Sequence, residues 1–350
     1  MNMELLVAER KKNCTGLKVP VNIQGVGFSV PGRVVTNEEL TRSLDTTDEW
    51  IQTKTGIKER RYLEDHLVTS DLCVSASLKA LKDAGVRAED LDAIILTTTS
   101  PDQALPSTAM VIKEKLGADK AIPLDMNQTG CAGGIYSMYV ATHLLQNESI
   151  KNVLIIGCEI LSRISNPEDR TSRVFFGDAA GAMVLQKTNE GHGALAFDLD
   201  SSLNYAVAIP GGGTQPLPEG VDRSTSHFVK MNGREVWEQA TKVVPKSIRN
   251  VIETAGLSVD EVDHFIVHQA NLNIIKEVMK DLDVPLCKTS ITVEEYANTG
   301  SATLFSALYR ALENHKIAEG DTVVFSAIGA GFLWGSACFK YSKNHQKEMR

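Results

Sequence analysis

The chain has 350 residues, 43% of them hydrophobic and 23% charged, with 26 glycines and 11 prolines. This composition excludes a disordered, low-complexity or collagenous chain, and the length supports about two structural units whose core needs no metal or disulfide staple. The net charge of −8 excludes the basic face that neutralises a phosphate backbone, and no apolar run approaches the roughly 18 residues of a membrane span.

Neither nucleic acid nor a membrane is therefore an expected partner. Residues 1–20 mix Glu4, Glu9, Arg10, Lys11 and Lys12 with a short apolar run, carry no signal-peptide core, and read as an N-terminal appendage. From there the pattern predicts a strand at 21–28, a helix at 70–84, a strand at 93–98, and helices at 108–116 and 133–146. Strands at 153–157 and 182–186 follow, then a helix at 233–255 and a strand at 264–268. Helices at 272–282 and 301–313, a strand at 322–326 and a solvated tail at 343–350 complete the series. Strands alternating with helices predict an α/β fold with parallel-rich sheets. The six cysteines, at 14, 73, 131, 158, 287 and 338, show no zinc spacing and no disulfide frame, which fits free thiols in a reducing cytoplasm.

The chain also repeats itself. The stretch from Leu81 to Leu96, a helix ending at Ala-Gly followed by an acidic turn and a strand, matches the stretch from Ile252 to Val267 at an offset of 171. Thr129-Gly-Cys-Ala132 matches Thr299-Gly-Ser-Ala302, and the strand from Asn152 matches that from Thr322, both at an offset of 170. Three matches in order at a constant offset indicate two duplicated halves, placed at 21–195 and 196–342.

Cys131 lies in Asn127-Gln-Thr-Gly-Cys-Ala-Gly-Gly134, a small-residue turn opening an amphipathic helix. The positive end of a helix dipole favours thiolate there, and the glycines let backbone approach a thioester oxygen. A buried structural cysteine is the alternative for Cys131, and it is the reading of the other five. His268, in Val267-His-Gln-Ala-Asn271, ends a repeat strand at the carboxyl edge of its sheet, where α/β sites form. Asn298 precedes the helix that duplicates the one behind Cys131. Alone it is an N-cap or turn residue, but the duplication brings its loop beside that of Cys131. Thiol, imidazole and carboxamide in one cleft suit acyl chemistry. Trp237 and Trp334 read as packing residues, and Asp178 as a turn-securing one.

At this point the chain resembles the thiolase superfamily, and within it the β-ketoacyl-acyl-carrier-protein synthases III. The resemblance spans about 22–341. It rests on Asp45-Thr-Thr-Asp-Glu-Trp-Ile-Gln-Thr-Lys-Thr-Gly-Ile57, Thr129-Gly-Cys-Ala-Gly133, Phe176-Gly-Asp-Ala-Ala-Gly-Ala182, His268-Gln-Ala-Asn271, Asn298-Thr299 and Gly329-Ala-Gly-Phe-Leu-Trp-Gly335.

It implies a thiolase-like five-layered α/β/α/β/α fold, a cytoplasmic homodimer, and a catalytic triad of Cys131, His268 and Asn298. It implies CoA thioesters as substrates, with no metal and no cofactor. Cys131 takes an acyl group from acyl-CoA, with the backbone N–H groups of Cys131 and Gly331 as the oxyanion hole. Decarboxylation of malonyl-acyl-carrier protein or malonyl-CoA then gives a β-ketoacyl product, in fatty-acid initiation or specialised polyketide-type biosynthesis. The same resemblance places Trp50, Lys54 and Asn271 at the CoA and support positions, and Leu105 at the acyl-pocket cap. Lys54 stands where the family has an arginine, Asn273 replaces a docking arginine, and Leu105 replaces a phenylalanine, which predicts room for an acyl group longer than acetyl.

Two further readings stay open. One is an acyl-CoA acyltransferase that does not decarboxylate, and the other is a catalytically silent partner subunit. A papain-like hydrolase also pairs Cys, His and Asn, but the duplication argues against it.

Overall fold

The computed structural model describes residues 17–343. The body of the appendage expected at 1–20, with Cys14, and nearly all of the tail expected at 343–350 lie outside the described residues.

The first sheet is built from Val21–Ser29 (β1), Ala93–Thr97 (β2), Ile122–Asp125 (β3), Asn152–Ile160 (β4) and Asp178–Lys187 (β5), in the order β1-β5-β4-β2-β3. The second is built from Gly193–Asn204 (β6), His264–Val267 (β7), Thr322–Gly329 (β8) and Gly331–Lys340 (β9), in the order β7-β8-β9-β6. Position by position β2, β4, β5 and β1 correspond to β7, β8, β9 and β6, so the sequence repeat becomes a repeat of topology.

The helices of eight residues or more are Asp48–Thr55 (α1), Thr69–Ala84 (α2), Thr108–Leu116 (α3), Gly133–Leu144 (α4), Gly233–Thr254 (α5), Leu272–Asp281 (α6) and Thr303–Glu313 (α7). The Ala-Gly of the repeat is a helix terminator in both halves. Gly85 after α2 and Gly256 after α5 have φ of 65° and 74°, values that a side chain disfavours. Among the described residues no helix is long and apolar enough to cross a membrane.

Five layers result. Ile135, Met138 and Ala141 of α4 and Leu304, Phe305 and Leu308 of α7 are buried between the sheets, in a core with Ile155 of β4 and Phe325 of β8. Leu72, Ala76 and Ala80 of α2 and Ile112 of α3 cover the outer face of the first sheet. Ile248 and Val251 of α5 and Ile275 and Val278 of α6 cover that of the second. This is the five-layered fold the resemblance implied.

The expectation of parallel-rich sheets is corrected. Three pairings are parallel, β2 with β3, β2 with β4 and β7 with β8. Four are antiparallel, β1 with β5, β4 with β5, β8 with β9 and β9 with β6. The reason is local: only Ala330 separates β8 from β9, and so short a connection can join only antiparallel strands. Trp237 is also corrected, since it is exposed on α5 rather than packed.

Layers this close leave no room at certain positions. Gly181 of β5 lies directly over Phe305 of α7, and a β-carbon there would collide with the ring. Gly181→Ala is expected to cost about 3 kcal/mol, the upper end for overpacking a core. Chemical denaturation measures this, and a midpoint equal to that of the unaltered chain contradicts it.

Candidate active site

The turns before α4 and α7 meet where the halves join. Asn127–Ala132 forms a tight 3-10 turn, with Gly130 at φ 50° and ψ −144°. It packs against the β8–β9 connection. A β-carbon on Gly329 would stand 2.8 Å from Cys131 N, and one on Gly130 3.0 Å from Ala330 N. Bare backbone on both sides is what lets the Cys131 turn sit so close to the β8–β9 connection.

The electrostatics of Cys131 run against the thiolate expected from the helix dipole. Burial, and after it the Glu159 carboxylate, push the thiol up to about 12. The resting sulfur is therefore protonated, because desolvating a thiolate costs more than the end of one helix returns. A base must take its proton.

His268 lines the same cavity as Cys131. Its N–H donates to Ser326 O at 2.9 Å, one residue beyond the β7–β8 ladder. Burial holds the imidazole down at about 4, so it is neutral at pH 7. Its Nδ1 lies 2.6 Å from Thr303 Oγ1, and that hydroxyl also lies 2.9 Å from Gly300 O. Nε2 is the ring nitrogen left for the cavity. Thr303, absent from the sequence reading, is thus the partner that orients the ring.

Asn298 is pinned by its backbone, which accepts from Gly177 N at 3.0 Å and donates to Phe175 O at 2.9 Å. Its Oδ1 accepts from Gly300 N at 2.9 Å. Only an oxygen can take that bond, so the amide's donor nitrogen is the end left over. Asp178 accepts from Leu63 N, Ser162 N and Ser162 Oγ and secures its turn, as expected.

Cys131, His268, Asn298 and Gly331 line one cavity of about 830 Å³. Leu161, Ile164, Val207, Val229, Met231 and Ile274 make most of its wall apolar. Four other expected site residues lie outside that lining. Trp50 on α1 is half-buried, with Arg170 5.7 Å over its ring. Lys54 is exposed, and its carbonyl accepts from the amides of Asn271 and Asn273, each at 3.0 Å. Asn271 caps α6 and fastens it to α1. Leu105 stands 85% exposed, next to Ala104, which does line the cavity.

One lining residue was missed altogether. Glu159, buried at 1% exposure, is the last residue but one of β4 and lines the cavity. The signal was an acidic residue closing the apolar run from Val153, overlooked because the strand was expected to stop at 157. Among the described residues no cluster of three or more His, Cys, Asp or Glu side chains is placed to hold a metal ion. The five cysteines described are free thiols.

Two duplicated halves whose helix-start turns close on a single apolar cavity define a thiolase-fold condensing enzyme of the acyltransferase class. Family models for the 3-oxoacyl-[acyl-carrier-protein] synthase III and its C-terminal part match residues 124–202 and 252–341. The β-ketoacyl-[acyl-carrier-protein] synthase III 1 of Bacillus anthracis is 39% identical over 323 residues, 92% of this chain and 99% of that one. The synthase III structure from Thermus thermophilus superposes with a TM-score of 0.87 at 36% identity, covering 92% of this chain and all of that one. The priming β-ketosynthase of the R1128 polyketide pathway gives 0.85 at 28%, covering 94% and 99%. The chain belongs to the β-ketoacyl-acyl-carrier-protein synthase III family.

Proposed function

We propose that this chain carries out a two-stage, decarboxylating condensation in the cytoplasm, with Cys131, His268 and Asn298 as its catalytic residues and no metal or redox cofactor. The observation that carries the reading is the single apolar cavity in which a protonated thiol, a neutral imidazole and an oriented carboxamide all open.

In the first stage Cys131 Sγ bonds to the acyl carbon of an acyl-CoA as its proton passes to His268 Nε2. The oxyanion lies against the N–H groups of Cys131 and Gly331; as it collapses, the bond from the acyl carbon to the CoA sulfur breaks and the proton leaves on that sulfur. In the second stage a malonyl thioester, on acyl-carrier protein or CoA, loses CO2. The electron pair released becomes an enolate, held by His268 Nε2–H and Asn298 Nδ2–H. Its carbon bonds to the acyl carbon, the Sγ–acyl bond breaks, and the thiolate regains a proton from solvent.

The imidazole needs a bare Nε2 in the first stage and a protonated one in the second. The Thr303 hydroxyl supports both. Donating to Gly300 O, it accepts Nδ1–H and leaves Nε2 as base; turned to donate to Nδ1, it leaves the hydrogen on Nε2.

Trp50, Lys54 and Asn271 are assigned to the approach of CoA, and Leu105 to the cap of the acyl pocket in a homodimer. Apolar walls and a flexible leucine cap favour chains longer than acetyl. Hexanoyl-CoA is expected to acylate Cys131 at least as fast as acetyl-CoA in single-turnover assays, and strict acetyl preference contradicts the assignment of Leu105. Malonyl-dependent release of CO2 with a β-ketoacyl product tests the condensation itself. Acyl transfer to an acceptor without CO2 would replace it with a simple acyltransferase.

A further inference from the structure

Glu159 has no role in the two stages above, yet it is the one carboxyl group in the cavity wall. Its Oε2 accepts from Thr99 N at 2.9 Å and Thr99 Oγ1 at 2.7 Å, with Ser100 Oγ at 3.3 Å. Its Oε1 lies 3.1 Å from Ser301 Oγ. Thr99 and Ser100 follow β2 in the first half, and Ser301 stands in the second, three residues beyond Asn298. The side chain also fills the space under Gly300, where a β-carbon would collide with Glu159 Cγ. Gly300 is the residue whose N–H holds Asn298 Oδ1 and whose carbonyl neighbours Thr303. One side chain therefore ties the two halves together at the point that orients both Asn298 and His268.

The hydrogens around it can be counted. Ser301 Oγ has one hydrogen and two acceptor neighbours, Thr97 O at 3.0 Å and Glu159 Oε1 at 3.1 Å. With an ionised carboxylate one of the two contacts has no hydrogen. With a proton on Oε1, Glu159 donates to Ser301, Ser301 donates to Thr97 O, and Oε2 remains free to accept from Thr99. No cation lies among its hydrogen-bonding partners. Burial pushes the carboxyl up to about 7, against the pull of the bonds from Thr99, Ser301 and Ser100.

We propose, resting on the condensing function above, that Glu159 is a positioning residue that works as a neutral acid. Protonated, it joins the Thr99–Ser100 loop to Ser301 and seats Gly300, so that Asn298 and His268 keep their orientation. Ionised, it lacks the hydrogen that completes this chain and adds a negative charge to the cavity wall, which opposes thiolate at Cys131. The titratable groups near it are few. Cys131 and His268 line the same cavity, Cys158 adjoins it on β4, and Asp178 on β5 acts on Cys158. The Thr99–Ser100 loop and the turn before α7 bring only hydroxyls and amides to the carboxyl.

The sign follows. As pH rises through about 7, Glu159 ionises, and thiolate at Cys131 becomes harder to form. Glu159→Gln keeps an amide donor for Ser301 and an oxygen for Thr99 but cannot ionise.

The test has two arms from pH 6 to 9. In the first, alkylation of Cys131 by iodoacetamide is followed on its own peptide; it needs no enzymatic substrate, so it stays readable if acyl-CoA fails to acylate wild type and the condensing function falls. The ratio of the Gln variant's rate to wild type is expected to be smallest at pH 6 and to reach about three- to tenfold by pH 9, since one pKa unit is a factor of ten in thiolate. In the second arm, the same ratio for malonyl-dependent CO2 release rises with pH. A ratio flat or falling with pH, in a variant whose melting temperature and circular dichroism match wild type, overturns the proposal. So does equal pH dependence of condensation in the two proteins.

Discussion

Cys131→Ala is expected to show no acyl adduct by intact-protein mass spectrometry with any acyl-CoA from acetyl to decanoyl, where the unaltered chain gains the mass of one acyl group. Condensation should fall by at least about 10⁴-fold, because removing a covalent nucleophile leaves only binding and the oxyanion hole. The size of this effect comes from the environment as much as from the sulfur. Of the five free thiols described, Cys73, Cys158 and Cys338 are buried in the layers and Cys287 is exposed. Cys131 alone lines the cavity with a neutral imidazole. An adduct that persists in the alanine variant would move the nucleophile elsewhere and remove the first stage as written.

The second large effect separates the two stages. Asn298→Ala removes a donor needed only when the enolate forms, so malonyl-dependent CO2 release should drop by about 10²–10³-fold while acylation of Cys131 stays within a few-fold. His268→Ala removes the base of the first stage and the donor of the second, and should slow both, each by about 10²–10⁴-fold. The acylation assay and the CO2 assay on the same preparations give the comparison. If Asn298→Ala slows acylation as much as condensation, its role is to hold the loop rather than the enolate. Raising the pH does not rescue His268→Ala at moderate alkalinity, because the thiol titrates only near 12. A variant that recovers fully by pH 9 would mean the thiol is far more acidic than its burial dictates.

Much of this site was legible before the fold. The repeat placed the Cys131 and Asn298 turns as mates, and in the structure they adjoin; His268 sits at the carboxyl end of β7, as its strand pattern required. Helices α2, α3, α4 and α6 begin and end within a residue or two of expectation; Gly85 and Gly117 stop α2 and α3, and Asn271 starts α6, all local signals. The antiparallel strand β6 has no local signal because its one partner, β9, lies more than 120 residues further along the chain. Trp237, expected to pack, faces outward from α5.

The charge states were the other failure. A helix start argued for a thiolate at Cys131, and the residue is instead a protonated thiol in a wall of apolar side chains. Glu159 passed unread because one acid at the end of an apolar strand has no meaning until the space around it is known.

The sequence by itself determined the duplication, the order of the core elements and the family, and it named three residues that the fold brings to one cavity. Each of these is written in residue types at fixed spacing, and spacing is local information. Only the tertiary structure decided which groups carry protons, that Thr303 orients the imidazole, and that Glu159 bridges the halves beneath Gly300. Those properties depend on desolvation and on counting hydrogens between atoms far apart in the chain, 142 residues for Glu159 and Ser301 and 204 for Ser301 and Thr97, and such neighbours exist only once the chain has folded.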